Sequence, residues 1–166
     1  ASQDAPLQGL ALMAAFYLNE LILNFTRRGD PHPGLFMAYA EALAELRQGP
    51  DPEPALRRFE LRLLAEAGYG LNLDHDVLND VALDPHGSYE YRIEHGPVPA
   101  EAGQGALVLS GRTLLAISRG ELTDPGVLQS AKRLLRGVLA HYLDGRTLRT
   151  RQVLASMRRA PVASQL

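Results

Sequence analysis

The sequence predicts a mainly α-helical protein, a compact helical domain with a small β-hairpin-like insert in the middle. Three observations support this prediction. Apolar residues recur at helical spacing in the first 66 residues and again after about residue 110. Glycine and proline separate these segments by short loops, which favours antiparallel neighbouring helices. The helical period weakens only from Leu71 to Leu109.

Three helices are expected before the insert. The first covers Leu7 to about Arg28, and the second covers about Leu35 to Arg47. Pro54 suits the first turn of the third helix, where its missing N–H costs nothing. The residues expected to face the core are Leu10, Ala14, Tyr17, Leu21 and Phe25 in the first helix, Phe36, Tyr39, Leu43 and Leu46 in the second, and Leu56, Phe59, Leu63 and Leu64 in the third.

The insert is predicted to contain short strands. Ser88–Glu94 alternates apolar and polar residues, which is typical of a half-buried strand. Pro97–Pro99 and Leu107–Leu109 are candidates for two more. Because two or three short strands do not fold alone, they are expected to pack on the helices. Residues 1–166 are therefore expected to form a single domain, with the insert at about 71–109.

Three helices are expected after the insert. Ser110 is suited to cap a short helix that begins at the next residue. Asp124–Pro125 combines a capping side chain with proline at the first helical position, and it predicts the start of a longer helix. A last, basic helix is expected to open at Thr147 or Thr150 and to end near Arg159.

Composition excludes several classes of protein. The chain has 166 residues, 46% of them hydrophobic, which is ordinary for a globular protein. No apolar stretch reaches the roughly 18 residues of a membrane span, so no membrane partner is expected. The absence of cysteine excludes disulfides, cysteine-ligated zinc and cysteine nucleophiles, and it fits a reducing compartment.

Charge is distributed unevenly along the chain. Residues 127–166 carry eight basic side chains and one acidic one, a net charge of +7, whereas the first 126 residues carry nine basic and 18 acidic ones, a net charge of −9. Sixteen of the 17 basic residues are arginine, which suits bidentate contacts with phosphate or carboxylate. The asymmetry favours an anionic partner. The alternative is a solvated, arginine-rich helix end.

No catalytic constellation is evident in the sequence, and no cofactor is expected. The most suggestive group is His75, Asp76 and Asp80, whose imidazole and carboxylates are potential metal ligands. No second histidine follows at ligand spacing, and no calcium-loop pattern is present. A solvated acidic loop is the preferred interpretation, so we predict a binding protein rather than an enzyme. A metal-dependent hydrolase is a further alternative.

The basic residues near the C-terminus are the stronger functional signal. Guanidinium groups at such spacing bind backbone phosphates without reading sequence. They suit a carboxylate-rich peptide equally well. The predicted DNA-binding residues are Arg146, Arg149, Arg151, Arg158 and Arg159.

Four segments resemble the C-terminal region of the bacterial recombination mediator RecO. They are YLNELILNF (Tyr17–Phe25), DPHPGLFMAYAEAL (Asp30–Leu43), PEPALRRFELRLLAEAGYGLNLD (Pro52–Asp74) and AKRLLRGVLAHYLDGRTLRTRQVL (Ala131–Leu154). They keep the family order. The family's N-terminal OB domain has no counterpart here. Cysteine pairs that hold zinc in many members are also missing after LNLD, so the resemblance implies a domain without a zinc site.

The resemblance implies a function without bond chemistry. RecO-like proteins act with RecR and RecF in DNA repair. They help to load RecA onto single-stranded DNA that is covered by its binding protein, and they anneal complementary strands. Implied partners are therefore RecR, single-stranded and double-stranded DNA, and the single-stranded-DNA-binding protein. The implied location is the bacterial cytoplasm, in association with the nucleoid.

The resemblance also implies a binding site for the acidic C-terminal tail of the single-stranded-DNA-binding protein. That tail ends in an apolar residue with a free carboxylate, for which an apolar pocket with an arginine rim is a suitable receptor. The residues assigned to this site are Arg57 and Arg58 on the rim, Leu61 near the pocket, and Lys132, Arg133 and Arg136 as supporting cations. The alternative for Arg57 and Arg58 is simple pairing with Glu53, Glu60 or Glu66 on the helix. A general nucleic-acid-binding module that acts through the arginine-rich C-terminal segment is the alternative function.

Overall fold

The predicted fold class is confirmed: in the described part of the chain, six helices surround one hydrophobic core, with two small antiparallel sheets between the third and fourth helices. The computed structural model describes residues 6–27, 29, 31–101 and 105–159. The helices are α1 (Gly9–Phe25), α2 (Pro33–Gln48), α3 (Glu53–Glu66), α4 (Gly111–Ser118), α5 (Pro125–Leu143) and α6 (Arg149–Arg159). The strands are β1 (His75–Asp76), β2 (Val81–Ala82), β3 (Ser88–Arg92), β4 (Gly96–Pro99) and β5 (Val108–Ser110).

Helix α3 is the centre of the fold, because α1, α2 and α5 all pack against it. Its predicted core residues, Leu56, Phe59, Leu63 and Leu64, are all buried, as the helical spacing indicated. Proline at the second helical position and a carboxylate in the first turn favour its start. In the described ranges, no helix is long and apolar enough to cross a membrane.

The predicted core face of α2 is wrong in one respect. Phe36 is 71% exposed, and the buried residues are Leu35, Ala38, Ala42 and Leu46. The two alanines lie one turn apart, so that α2 can approach its neighbours α1 and α3 closely. The need for small residues at this contact decides the rotation of the helix, and the larger apolar side chain of Phe36 points outward.

The insert contains two separate sheets. Strands β1 and β2 form a hairpin, and β3 lies between β4 and β5 in a three-stranded sheet. Tyr89 and Tyr91 of β3 are buried, as the alternating pattern predicted. The hairpin was not predicted, because strands of two residues are too short to show alternation.

The sheet joins the helical part without a linker, since β5 ends at Ser110 and α4 begins at Gly111. The Ser110 hydroxyl accepts a hydrogen bond from the Thr113 N–H at 3.1 Å and caps α4 as expected. A Cβ atom on Gly111 would lie only 1.9 Å from the backbone oxygen of Asp84. Only glycine therefore fits at this junction.

Candidate anion-binding site

A group of basic side chains gathers where the N-terminal half of α3, the middle of α5 and α6 meet. They surround a small cavity of about 60 Å³ whose other polar residues are Tyr17, Glu53 and Glu60. Five cations thus face two carboxylates, an excess that favours an anionic occupant. We call these five residues the cationic cluster: Arg57, Lys132, Arg136, Arg151 and Arg158.

The floor of this cavity is a buried polar network on α1 and α3. Glu60 is fully buried, accepts a hydrogen bond from the Tyr17 hydroxyl at 2.6 Å and forms an ion pair with the Arg57 guanidinium at 2.9 Å. Burial raises the pKa of Glu60, and the charge of Arg57 and the Tyr17 hydrogen bond only partly offset this effect. Burial likewise raises the pKa of Tyr17 well above its ordinary value.

Three buried polar atoms of this network have no hydrogen-bond partner in the part of the chain that the structure describes. They are Oε2 of Glu53, Nε of Arg57 and Oε2 of Glu60. All three residues line the cavity. Because buried polar atoms are normally satisfied, such a cavity favours a polar occupant over an apolar one.

Glu53 forms the edge of the cavity, in the first turn of α3. Its Oε1 lies 3.0 Å from the Lys132 ammonium and 2.5 Å from the Arg158 guanidinium. Arg158 also contacts Asp51 at 3.1 Å. Burial raises the pKa of Glu53, but Arg57, the hydrogen bond from Lys132 and the charges of Lys132 and Arg158 outweigh it and hold the pKa below its usual range.

Helix α6 is attached to α1 through Glu20, which caps its N-terminal end. The Glu20 carboxylate accepts hydrogen bonds from the backbone N–H groups of Arg149 at 2.9 Å and Thr150 at 3.0 Å, and from the Thr150 hydroxyl. Burial of Glu20 raises its pKa, but these three hydrogen bonds outweigh that effect and lower it. The cap therefore comes from another helix, and α6 begins at Arg149, between the two threonines at which it was expected to open.

A larger cleft of about 510 Å³ lies beside the cavity along α5. Pro125 and Leu128 supply apolar surface, and Lys132, Arg133 and Arg136 supply charge. Arg136 has no carboxylate within 4 Å in the described ranges, and Arg133 contacts only the backbone oxygen of Val108, at 3.4 Å. We call this the apolar cleft. It combines apolar surface and available guanidinium groups within one concave surface.

The structure separates the two consecutive arginines that the resemblance placed on one rim. Arg57 is buried in the cavity floor, whereas Arg58 contacts Glu45 at 2.5 Å and the backbone oxygen of Gly120 at 3.2 Å. Arg58 and Leu61 line a different groove of about 260 Å³, between α2, α3 and the end of α4. Successive residues of a helix point about 100° apart, which explains the separation. Lys132, Arg133 and Arg136 line one cleft, separate from Arg58 and Leu61, and their binding roles stay predictions.

The predicted DNA-binding arginines also divide. Arg151 and Arg158 belong to the cationic cluster, and burial lowers the pKa of Arg151. Arg146 closes the end of α5 by donating to the backbone oxygens of Leu143 and Asn24, and Arg149 lies exposed at the start of α6. The side chain of Arg159 lies outside the described part. The binding roles of all five residues stay predictions.

The acidic group His75, Asp76 and Asp80 forms the β1–β2 hairpin rather than a loop. Asp76 is buried and accepts from the backbone N–H groups of Leu78 at 2.9 Å and Asn79 at 3.2 Å, while His75 contacts Asp80 at 2.9 Å. Burial raises the pKa of Asp76, but these bonds and the one from the Asn79 side chain lower it. Across the described residues, no group of three or more potential ligands could hold a metal ion.

Sequence analysis missed the buried base of the site, which consists of Tyr17 and Glu60. Tyr17 was assigned to the core without a polar role, and Glu60 was considered only as a surface partner of Arg57. A usable signal existed, because Glu53 and Glu60 lie four residues before and three residues after Arg57 on one helix. This spacing predicts ion pairs but does not reveal that they are buried.

Comparison with known proteins gives a consistent result. Residues 6–152 match the family model described as recombination protein O C terminal. DNA repair protein RecO of Azoarcus sp. (strain BH72) is 46% identical over 155 residues, covering 91% of this chain and 64% of the relative. DNA repair protein RecO of Halorhodospira halophila is 42% identical over 161 residues, covering 95% and 68%.

A more distant relative agrees. DNA repair protein RecO of Aliivibrio fischeri (strain ES114) is 39% identical over 152 residues, covering 92% of this chain and 64% of the relative. The chain thus spans just under two thirds of the length of the Azoarcus and Aliivibrio relatives. With the family model matched over most of its length, the chain belongs to the family of RecO C-terminal domains.

Proposed function

We propose that this chain is a non-enzymatic adaptor domain of DNA repair and recombination that binds the acidic C-terminal tail of the single-stranded-DNA-binding protein. The observation that carries the proposal is the junction of the cationic cluster with the apolar cleft. The relatives of this chain bear the name DNA repair protein RecO, which supports a role in DNA repair. In this role the domain acts with RecR and RecF in annealing and in loading RecA.

The chemistry of the tail matches both parts of the site. The terminal apolar side chain fits against Leu128 and Pro125, and the terminal carboxylate accepts hydrogen bonds from Arg133 and Arg136. Acidic residues that precede it face Lys132 and the rest of the cationic cluster. This placement retains Lys132, Arg133 and Arg136 from the sequence prediction, whereas Arg57 supports the cavity from below.

The groove that contains Arg58 and Leu61 is a weaker receptor. Two of the three cations that line it, Arg58 and Arg62, already contact Glu45 and Glu41, at 2.5 and 3.7 Å, so that among the described residues only the charge of Arg119 is in excess. The apolar cleft contains three cations and one carboxylate, Glu53. Excess charge therefore favours the apolar cleft for an acidic peptide.

The binding experiment uses a fluorescent peptide of acidic residues that ends in phenylalanine with a free carboxylate. We expect Arg136→Ala and Arg133→Ala each to weaken binding about tenfold, the effect of losing one charge-assisted hydrogen bond at a partly exposed site. Arg92→Ala is the matched control, because Arg92 lies in β3 and lines neither the cavity nor the cleft. The proposal is wrong if neither cleft variant weakens binding more than the control does.

A nucleic-acid-binding role is the second candidate, because Arg151 and Arg158 join Lys132 and Arg136 in one cluster. Backbone phosphates would then occupy the same cations as the acidic tail. Salt distinguishes the two ligands, since phosphate contacts release counter-ions and weaken steeply with salt. A peptide anchored by an apolar side chain weakens less. Comparing the salt dependence of peptide binding with that of an oligonucleotide tests this candidate.

A further inference from the structure

Glu53 lies at the boundary between the cavity and the apolar cleft, and it lines both. Among the described residues that line the cleft, it is the sole acidic one. Its side chain is 11% exposed, and its Oε1 contacts both Lys132 and Arg158. A carboxylate of the protein itself therefore already occupies the cations that an anionic ligand would use.

We infer that Glu53 is an internal counter-ion that competes with the acidic ligand for Lys132 and Arg158 and so sets the affinity of the site. The inference rests on the proposed function in taking an acidic peptide as the ligand. It adds a residue that opposes binding, which neither the family membership nor the sequence assigned.

The position of Glu53 makes this competition reversible. The residue lies in the first turn of α3, where the helix dipole stabilises a carboxylate. Arg57, whose guanidinium lies 3.9 Å away, adds a second source of stabilisation. Glu53 therefore stays ionised when Lys132 turns to a ligand, and the exchange replaces one ion pair with another.

Competition also provides selectivity. A ligand with one carboxylate gains a cation only by drawing Lys132 away from Glu53, and it is repelled by the Glu53 charge that remains. A ligand with several adjacent carboxylates contacts Arg133 and Arg136 at the same time, neither of which contacts a carboxylate within 4 Å in the described ranges. The site should therefore reject isolated anions and retain acidic tails.

The same exchange reaches α6 through Arg158. This side chain connects α6 to the start of α3 by its contacts with Glu53 and Asp51. When a ligand pairs with Arg158, the contact of Arg158 with Glu53 is lost. Of its two acidic contacts, Arg158 then keeps only the one with Asp51. Binding should therefore loosen the end of α6.

The test compares Glu53→Gln with Glu66→Gln in binding to the acidic peptide that ends in phenylalanine. Glu66 is the exposed last residue of the same helix and lines neither the cavity nor the cleft, so it controls for the change in net charge. We expect Glu53→Gln to tighten binding about twofold to fivefold, the upper part of the range for one partly exposed ion pair. Glu66→Gln should change it less than about twofold by screened long-range charge. Unchanged or weaker binding by Glu53→Gln overturns the inference.

Two additions keep this result interpretable. Glu53→Asp retains the charge at the helix start but withdraws the carboxylate from Lys132. We expect a smaller gain in affinity than for Glu53→Gln. This variant therefore tests the inference even if Glu53→Gln folds poorly. The second addition is thermal unfolding in inorganic phosphate, which should raise the midpoint of Glu53→Gln more than that of the wild type. If the peptide binds neither protein but phosphate stabilises Glu53→Gln more than the wild type, the proposed function is wrong and the counter-ion role of Glu53 is retained. If the peptide binds but Glu53→Gln changes neither the peptide affinity nor the effect of phosphate on the unfolding midpoint, the counter-ion role of Glu53 is wrong and the proposed function is retained.

Discussion

The sheet insert and the cationic cluster use charged residues in opposite ways. In the insert, acidic side chains are satisfied by their immediate surroundings: Asp76 and Asp84 accept backbone N–H groups two or three residues away, and Glu94 contacts His141 at 2.7 Å. In the cavity, five cations share two carboxylates, and three buried polar atoms have no partner in the described part. Local satisfaction is typical of a structural role, whereas a surplus of charges of one sign favours an anionic ligand.

Neighbouring residues of one type also differ in role when their surroundings differ. Arg57 and Arg58 are consecutive, yet the first is buried among Glu53, Glu60 and Tyr17 and the second lies in an exposed pair. The surroundings of a charge, rather than its position in the sequence, decide what the residue does. Four variants or conditions test this distinction, beginning with the largest expected effect.

Replacing Arg57 should lower the free energy of unfolding more than replacing Arg58. Arg57→Ala leaves Glu60 buried without a cation, which costs about 3–5 kcal/mol in the free energy of unfolding. Arg58→Ala removes a pair whose side chains are 36% and 39% exposed, and it should cost no more than about 1 kcal/mol. Denaturant unfolding of the two variants measures the difference. Equal costs would show that the buried network is not a distinct region.

Glu20→Ala should detach the start of α6 while leaving the rest of the core folded. The variant loses a cap on two backbone N–H groups, worth about 1 kcal/mol. Hydrogen exchange of the α6 amides measures the loss, with the α3 amides as the internal control. Faster exchange throughout the protein would contradict a local role for this cap.

The same cap predicts a pH dependence. Because the pKa of Glu20 is lower in the folded protein than in the unfolded chain, the carboxylate contributes stability at neutral pH. This contribution is complete above the ordinary glutamate pKa and disappears as the pH falls through the lower, folded value. The wild type should therefore lose α6 protection in acid, and Glu20→Ala should show little further loss.

The smallest effect is expected in the insert. Asp76→Asn weakens the acceptor for the amides of Leu78 and Asn79, so exchange in the β1–β2 hairpin should accelerate. Affinity for the acidic peptide should not change, because Asp76 lines neither the cavity nor the cleft. A loss of peptide binding would mean that the insert takes part in the site.

Sequence patterns predicted the elements well where local chemistry decides them. Ser110 and Asp124 cap the helices they were expected to cap, and the apolar face of α3 is buried as its spacing indicated. The exposed Phe36 shows the limit, because the rotation of α2 depends on how closely its neighbours approach. Such contacts belong to the tertiary structure and leave no mark on the periodicity of one helix.

The site was predictable in its charge but not in its assembly. The basic excess after residue 127 indicated an anionic partner, and three of its residues, Lys132, Arg133 and Arg136, do line one cleft. Arg151 and Arg158 join them only because α6 packs back against α1. Glu20 fixes that packing from far away in the sequence, so no local pattern reveals it.

The glycine at the junction of β5 and α4 has a mechanical consequence. Since a side chain at Gly111 would collide with the backbone oxygen of Asp84, the segment before β3 packs directly against the start of α4. Because β5 also runs into α4 without a loop, we expect the sheet and α4 to move together. Just past the C-terminal end of α4, the backbone oxygen of Gly120 accepts a hydrogen bond from Arg58 of the central helix. A displacement of the sheet would thus be transmitted to α3 instead of being absorbed by a flexible loop.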